Sequence, residues 1–169
     1  MMDHQDILRV VREAFPNSGS GGEDPTPIGD LYGVFFASEL LHPINSWEDI
    51  TLEDMQEGHF GALLGLMSGP TFVAWLPAWL VHVGAYGLEV PRALISFAGS
   101  FSPEVSAETG KLDRLRDRVT WLDPAQRRAV ALIGRSIAGR EDVIRYCELD
   151  VGESVSRAWG EYALHGYRK

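Results

Sequence analysis

The chain has 169 residues, 45% of them hydrophobic and 23% charged, with a net charge of −9. That is enough apolar material for one buried core, and it excludes a disordered chain. A single cysteine, Cys147, excludes an internal disulfide and any multi-cysteine zinc site, and it suits a reducing cytoplasm.

The first predicted element is a helix from Asp3 to Phe15. Ile7, Leu8, Val10, Val11, Ala14 and Phe15 form its apolar stripe, and Pro16 ends it. The acidic residues before it lack a basic and an apolar region, so no signal peptide is expected. Residues 16–29 are rich in Gly, Ser and Pro and read as a flexible loop. The loop has no Gly-Lys-Ser/Thr to make it a phosphate cradle. Asp30 is placed to cap a second helix, Leu31 to Leu41, which Pro43 stops.

Thr51 caps a third helix starting at Leu52, with Glu53 and Asp54 in its first turn. Helical spacing puts Leu52, Met55, His59, Leu63 and Leu66 on one side, so His59 is expected in the core. Gly58, Gly61 and Gly65 on the far side imply either close backbone approach by a neighbour or a break near Gly58. The charge-free run from Gly58 to Leu88 spans 31 residues. Its internal Ser68-Gly69-Pro70 and Pro77, its two histidines and its acidic flank favour a buried helix pair over a membrane span. The second of the pair begins near Pro70 and carries Phe72, Trp75, Leu76, Trp79, Leu80 and Val83. Pro77 is expected to kink or split it.

A shorter helix is predicted from Pro91 to Ala98, followed by a loop from Gly99 to Gly110. Asp123-Pro124 opens the next helix, which runs to Ala138 with Ala129, Val130, Leu132, Ile133 and Ile137 inward. A last helix covers Glu153 to Leu164. No segment alternates with period two, so the fold class is all-α: one domain of about six to seven helices.

Chemistry-bearing motifs are absent from the sequence. His4, His42, His59, His82 and His165 never take metal-ligand spacing. Cys147 has Glu148 and Asp150 beside it, which oppose a thiolate, and Ser100 and Ser102 lie in no nucleophile elbow. Neither a cofactor nor a metal is expected. Two charged surfaces stand out: the acidic cluster Glu48, Asp49, Glu53, Asp54 and Glu57, and an arginine face of Arg128 and Arg135 with Arg127 nearby. Glu53, Asp54 and Glu57 are expected to be exposed and of little weight in folding. Residues 111–140 carry a net +5, which leaves −14 elsewhere and disfavours nucleic acid as a partner.

The stretches Trp47-Glu48-Asp49-Ile50, Leu76-Pro77-Ala78-Trp79-Leu80 and Leu122-Asp123-Pro124-Ala125-Gln126-Arg127 resemble a family of small bacterial proteins of unknown function over residues 8 to 140. Trp79 stands where that family has tyrosine, and Asp123-Pro124-Ala125 stands where it has Thr-Pro-Glu. The resemblance implies no activity and transfers no functional residue. The expectation is a non-enzymatic cytoplasmic binding protein, of the immunity or antitoxin type, whose acidic cluster engages a basic protein such as a toxin or effector. The alternative is a small enzyme or ligand-binding protein with an aromatic pocket at Trp75, Trp79 and His82. A homodimer through the glycine face is a third.

Overall fold

The computed structural model describes residues 2–16, 40–41, 43–67 and 69–167. The expected loop at 16–29 and most of the expected helix from Leu31 to Leu41 lie outside them. Ten α-helices and no strand occur among the described residues, so the all-α expectation holds and the count of six to seven is too low.

Helix α1 spans His4–Ala14, and its first turn is capped by the Asp3 carboxylate, which accepts from the Asp6 N–H at 2.8 Å. Ile7, Val11 and Ala14 fill its buried face, at the spacing the sequence displays. Beyond residues 40–41 and 43–46 comes the 3₁₀ turn Trp47–Asp49, capped reciprocally by Ser46 and Asp49. Next, α2 (Leu52–Gln56) starts in a second such box, Thr51 with Asp54.

At Glu57 the backbone turns extended and a new helix, α3 (Gly58–Ala62), begins and runs into a 3₁₀ turn at Leu63–Gly65. The break rotates everything after it. Phe60 and Gly61 become the buried residues and His59 is exposed, so its expected core position is wrong. The predicted stripe assumed one continuous helix through Gly58.

Helix α4 (Gly69–Tyr86) is the axis of the molecule. Its residues 75–84 are buried without exception. Pro77 does not divide it, because neighbours enclose the helix and hold it through one missing hydrogen bond. By length and composition the stretch Gly69–Glu89 could cross a membrane, with mean hydropathy 1.3, but 72% of that window is buried inside the protein. Burying Phe72, Leu76, Trp79, Leu80 and Val83 contributes about 1.5–3 kcal/mol apiece.

After a 3₁₀ turn at Gly87–Glu89, α5 (Pro91–Phe101) runs three residues past its expected end. The expected loop at Gly99–Gly110 is corrected: Ser102-Pro103 opens α6 (Pro103–Glu108), with the Ser102 hydroxyl accepting from the Val105 N–H. Helix α7 (Leu112–Trp121) follows. Charged residues fill half of it, and only Leu115, Arg118 and Val119 are buried. Helix α8 (Pro124–Ile137) starts at Asp123, whose carboxylate accepts from the Ala125 and Gln126 N–H groups at 2.7 and 2.9 Å. Leu132, expected inward, is only half-buried. The short α9 (Glu141–Cys147) leads to α10 (Val151–His165), capped by Asp150.

One apolar core runs from Ile7 in α1 to Trp159 in α10. Helices α8 and α10 meet backbone to backbone through Gly134 and Gly152. A Cβ on Gly152 would fall 2.5 Å from the Ala138 Cα and 2.7 Å from the Gly134 carbonyl oxygen. Gly152→Ala should therefore cost about 1–3 kcal/mol in urea unfolding. Gly160→Ala on the same helix, with nothing within 4 Å of the new methyl, should instead gain up to about 1 kcal/mol.

Candidate functional site

The acidic cluster is assembled by α1, the turn at 47–49 and α2, and its five carboxylates are not equivalent. Glu48 forms a two-pronged pair with Arg12 of α1, Nε to Oε1 at 3.1 Å and Nη2 to Oε2 at 2.7 Å. The Arg12 guanidinium holds the Glu48 carboxyl below its usual range. Asp49 accepts from the Ser46 N–H at 3.1 Å. Asp54 accepts from the Thr51 N–H at 2.8 Å and from its hydroxyl at 2.7 Å. These three carboxylates hold the local fold together, and Asp54 is half-buried, which corrects the expectation that it is a bystander in folding. Glu53 and Glu57 are exposed and make no ion pair among the described residues.

The aromatic trio lies on α4. Trp79 is fully enclosed, stacked on Phe60 with ring centres 5.9 Å apart, and its indole N–H donates to the Gly61 carbonyl at 2.8 Å. Trp75 is buried at the core margin. His82 differs from both. Its Nε2 donates to the Ile50 carbonyl at 2.9 Å, while its Nδ1 is buried and has no hydrogen-bond partner. Burial pushes the imidazole below its ordinary value, and nearby His4 adds to this; the Ile50 carbonyl and Asp54 oppose it.

Of the glycine face, Gly61 is consumed inside the monomer. A Cβ there would sit 2.9 Å from the Ala93 nitrogen of α5, so the two helices already touch at their backbones. On the arginine face, Arg128 and Arg135 are exposed, whereas Arg127 donates to the Tyr162 carbonyl at 3.0 Å.

Two polar groupings escaped the sequence because their members are far apart in it. In the first, the buried hydroxyls of Ser102 and Ser154 lie 2.8 Å apart, and both donate to Glu104, which Arg157 also meets at 3.0 Å. Burial raises the Glu104 carboxyl, but these hydrogen bonds and the Arg157 charge outweigh it and hold it below the usual range. With both hydroxyls enclosed, this is a polar joint between α6 and α10.

The second is Arg118, which is 1% exposed. It donates to the Leu64 carbonyl at 3.0 Å and lies over the rings of Phe72 and Phe101, 4.6 and 6.0 Å from their centres. Burial, with Arg114 nearby, pushes its pKa down to about 9, against the pull of Asp117. Cys147 is half-buried, and burial alone pushes its thiol up, in the direction of an unreactive side chain. No group of three or more metal-ligating side chains occurs among the described residues.

Compared with protein-family models, curated proteins and solved structures, the chain matches none. The geometry above therefore has to carry the functional argument by itself.

It also sets a stability ranking that equilibrium unfolding can check. Trp79→Ala should cost about 3–5 kcal/mol. Thr51→Ala and Asp54→Lys should each cost about 1 kcal/mol by opening the α2 capping box. Glu53→Lys and Glu57→Lys should stay within about 0.5 kcal/mol of the parent protein.

Proposed function

We propose that this chain is a non-enzymatic bacterial binding protein that engages a basic protein partner through the acidic surface of α1, the 47–49 turn and α2. The carrying observation is the placement of charge. Residues 1–57 hold twelve acidic and two basic residues, a net −10, while residues 58–169 hold twelve and thirteen, a net +1. Essentially all of the sequence's excess charge thus falls in the stretch that includes this surface, with four of its carboxylates, Glu23, Asp24, Asp30 and Glu39, outside the described residues. Glu53 and Glu57, exposed and spared from capping, supply the charges that steer encounter. Glu48, Asp49 and Asp54 fix the backbone that presents them.

The role is that of an immunity or antitoxin protein of the cytoplasm, the partner being a cationic toxin or effector. The same charge opposes nucleic acid as a ligand. The alternative of a ligand pocket at Trp75, Trp79 and His82 draws support from the unpartnered His82 Nδ1. The close packing of Trp79 weighs against it.

The test is stopped-flow association with the basic protein that the chain captures from a bacterial lysate. The double variant Glu53→Lys/Glu57→Lys, a change of +4, should associate about tenfold more slowly at low salt, with dissociation nearly unchanged. The parent's rate should fall as salt rises, and the variant's should be nearly flat. Reversing two exposed carboxylates elsewhere, Glu108→Lys/Glu161→Lys, should do much less. Equal slowing by both pairs would mean that net charge alone matters. Unchanged rates in the first pair would remove the surface from the partner's path.

A further inference from the structure

A column of three rings joins α1 to α4. His4 meets Tyr86 edge-on, with ring centres 5.6 Å apart, and its Nδ1 lies 3.2 Å from the Tyr86 hydroxyl. On its other side Tyr86 stacks on His82, one turn back along α4, at 5.8 Å. The Ile50 carbonyl can only accept, so the neutral His82 ring carries its proton on Nε2 and its Nδ1 is bare. That Nδ1 is buried without a partner.

We propose that the first turns of α1 are a clasp that is closed at neutral pH and released in mild acid, with the His4–Tyr86–His82 column as its sensor. A second proton on His82 would create a buried Nδ1–H with no acceptor, and would place a cation across the Tyr86 ring from the His4 imidazole, which opposes it. The groups that bear on the His82 charge are His4 from α1, the Ile50 carbonyl that follows the 47–49 turn, and Asp54 from α2. The Ile50 bond survives protonation, because Nε2–H donates in both states. Asp54 attracts the new proton but is outweighed. Withdrawing His4 removes the second imidazole and opens the column to water, which supplies the missing acceptor. Release of α1 is therefore the motion that relieves both costs.

The sign follows from linkage. The closed state binds fewer protons than the released one, so its advantage is whole above about pH 6.5 and declines as pH falls below that value. The proposal does not depend on the identity of any partner.

The experiment is hydrogen exchange of the full chain at pH 7.5 and 5.0, corrected for intrinsic rates. The amides of residues 7–11 are followed against those of residues 129–137 in α8. Protection in α1 should drop about tenfold or more at pH 5.0, while α8 stays protected. In parallel, nuclear magnetic resonance should show His82 titrating below pH 6.5. In the variant His4→Asn/His82→Gln, which keeps hydrogen-bonding atoms but no titrating ring, α1 protection should be the same at both pH values. Flat protection in the parent overturns the clasp, as does loss shared equally by α8, an equal acid loss in the variant, or His82 titrating at or above about 6.5. Should the double variant fail to fold, His4→Asn alone decides. It must move the His82 midpoint upward, and an unmoved midpoint overturns the proposal.

Discussion

Helix α4 has no polar face, and most of the architecture answers that constraint. A charge-free helix buried through ten consecutive residues leaves no side to solvent. It has to be covered all round: by α1 and α8, by α5 and α7, and by α2 with the turns that flank it. The two polar side-chain groups that it does carry at its centre reach the same strand of chain. The Trp79 indole N–H takes the Gly61 carbonyl and the His82 Nε2–H takes the Ile50 carbonyl. The irregular segment from Ile50 to Gly61 is thus pinned from inside, and that pinning fixes where the acidic side chains outside it point.

Arg118 is the exception within this apolar interior. A guanidinium in the core that is ion-paired to no carboxylate among the described residues must be solvated by dipoles and ring faces. The carbonyl at Leu64 and the faces of Phe72 and Phe101 do this only in part, because Nε and Nη1 are buried with no hydrogen-bond partner, while Arg114 four residues earlier reaches the Gly65 carbonyl at 2.5 Å. Both arginines thereby close the carboxyl end of the 63–65 turn, where orphan carbonyls and the helix dipole favour positive charge. Part of the basic segment 111–140 thus does, at this helix, a structural job for a distant turn.

Local signals were legible where side chain and backbone act on each other within four residues. Thr51 and Asp123 cap helices as their positions indicate, and of the stripe on α1, Ile7, Val11, Ala14 and Phe15 are buried while Leu8 and Val10 are half-buried. The same rule, applied to Ser102-Pro103, marks α6, a start hidden by the glycines around it. Helix α7 was illegible for another reason: one of its three buried residues is an arginine, so its apolar stripe is incomplete. His59 was misplaced because a single extended residue, Glu57, resets the helical register beyond it. In the candidate surface, the sequence located the five carboxylates but could not sort them. Which ones cap, which one pairs with Arg12 and which stay free is decided by contacts up to thirty-six residues apart.

The glycine contact between α8 and α10 also bears on the order in which the chain comes together. These helices are close in sequence, so their docking closes a short loop at little entropic cost. Helix α1 must instead bring Ile7 to Ile133, whose methyl groups crowd the same face of Gly84, across more than a hundred residues of chain. The carboxyl-terminal hairpin is suited to form early and to template the rest. The amino-terminal helix, whose partners lie far along the chain, is suited to dock after it, and an element that docks late can leave with the least disturbance to what was built before it.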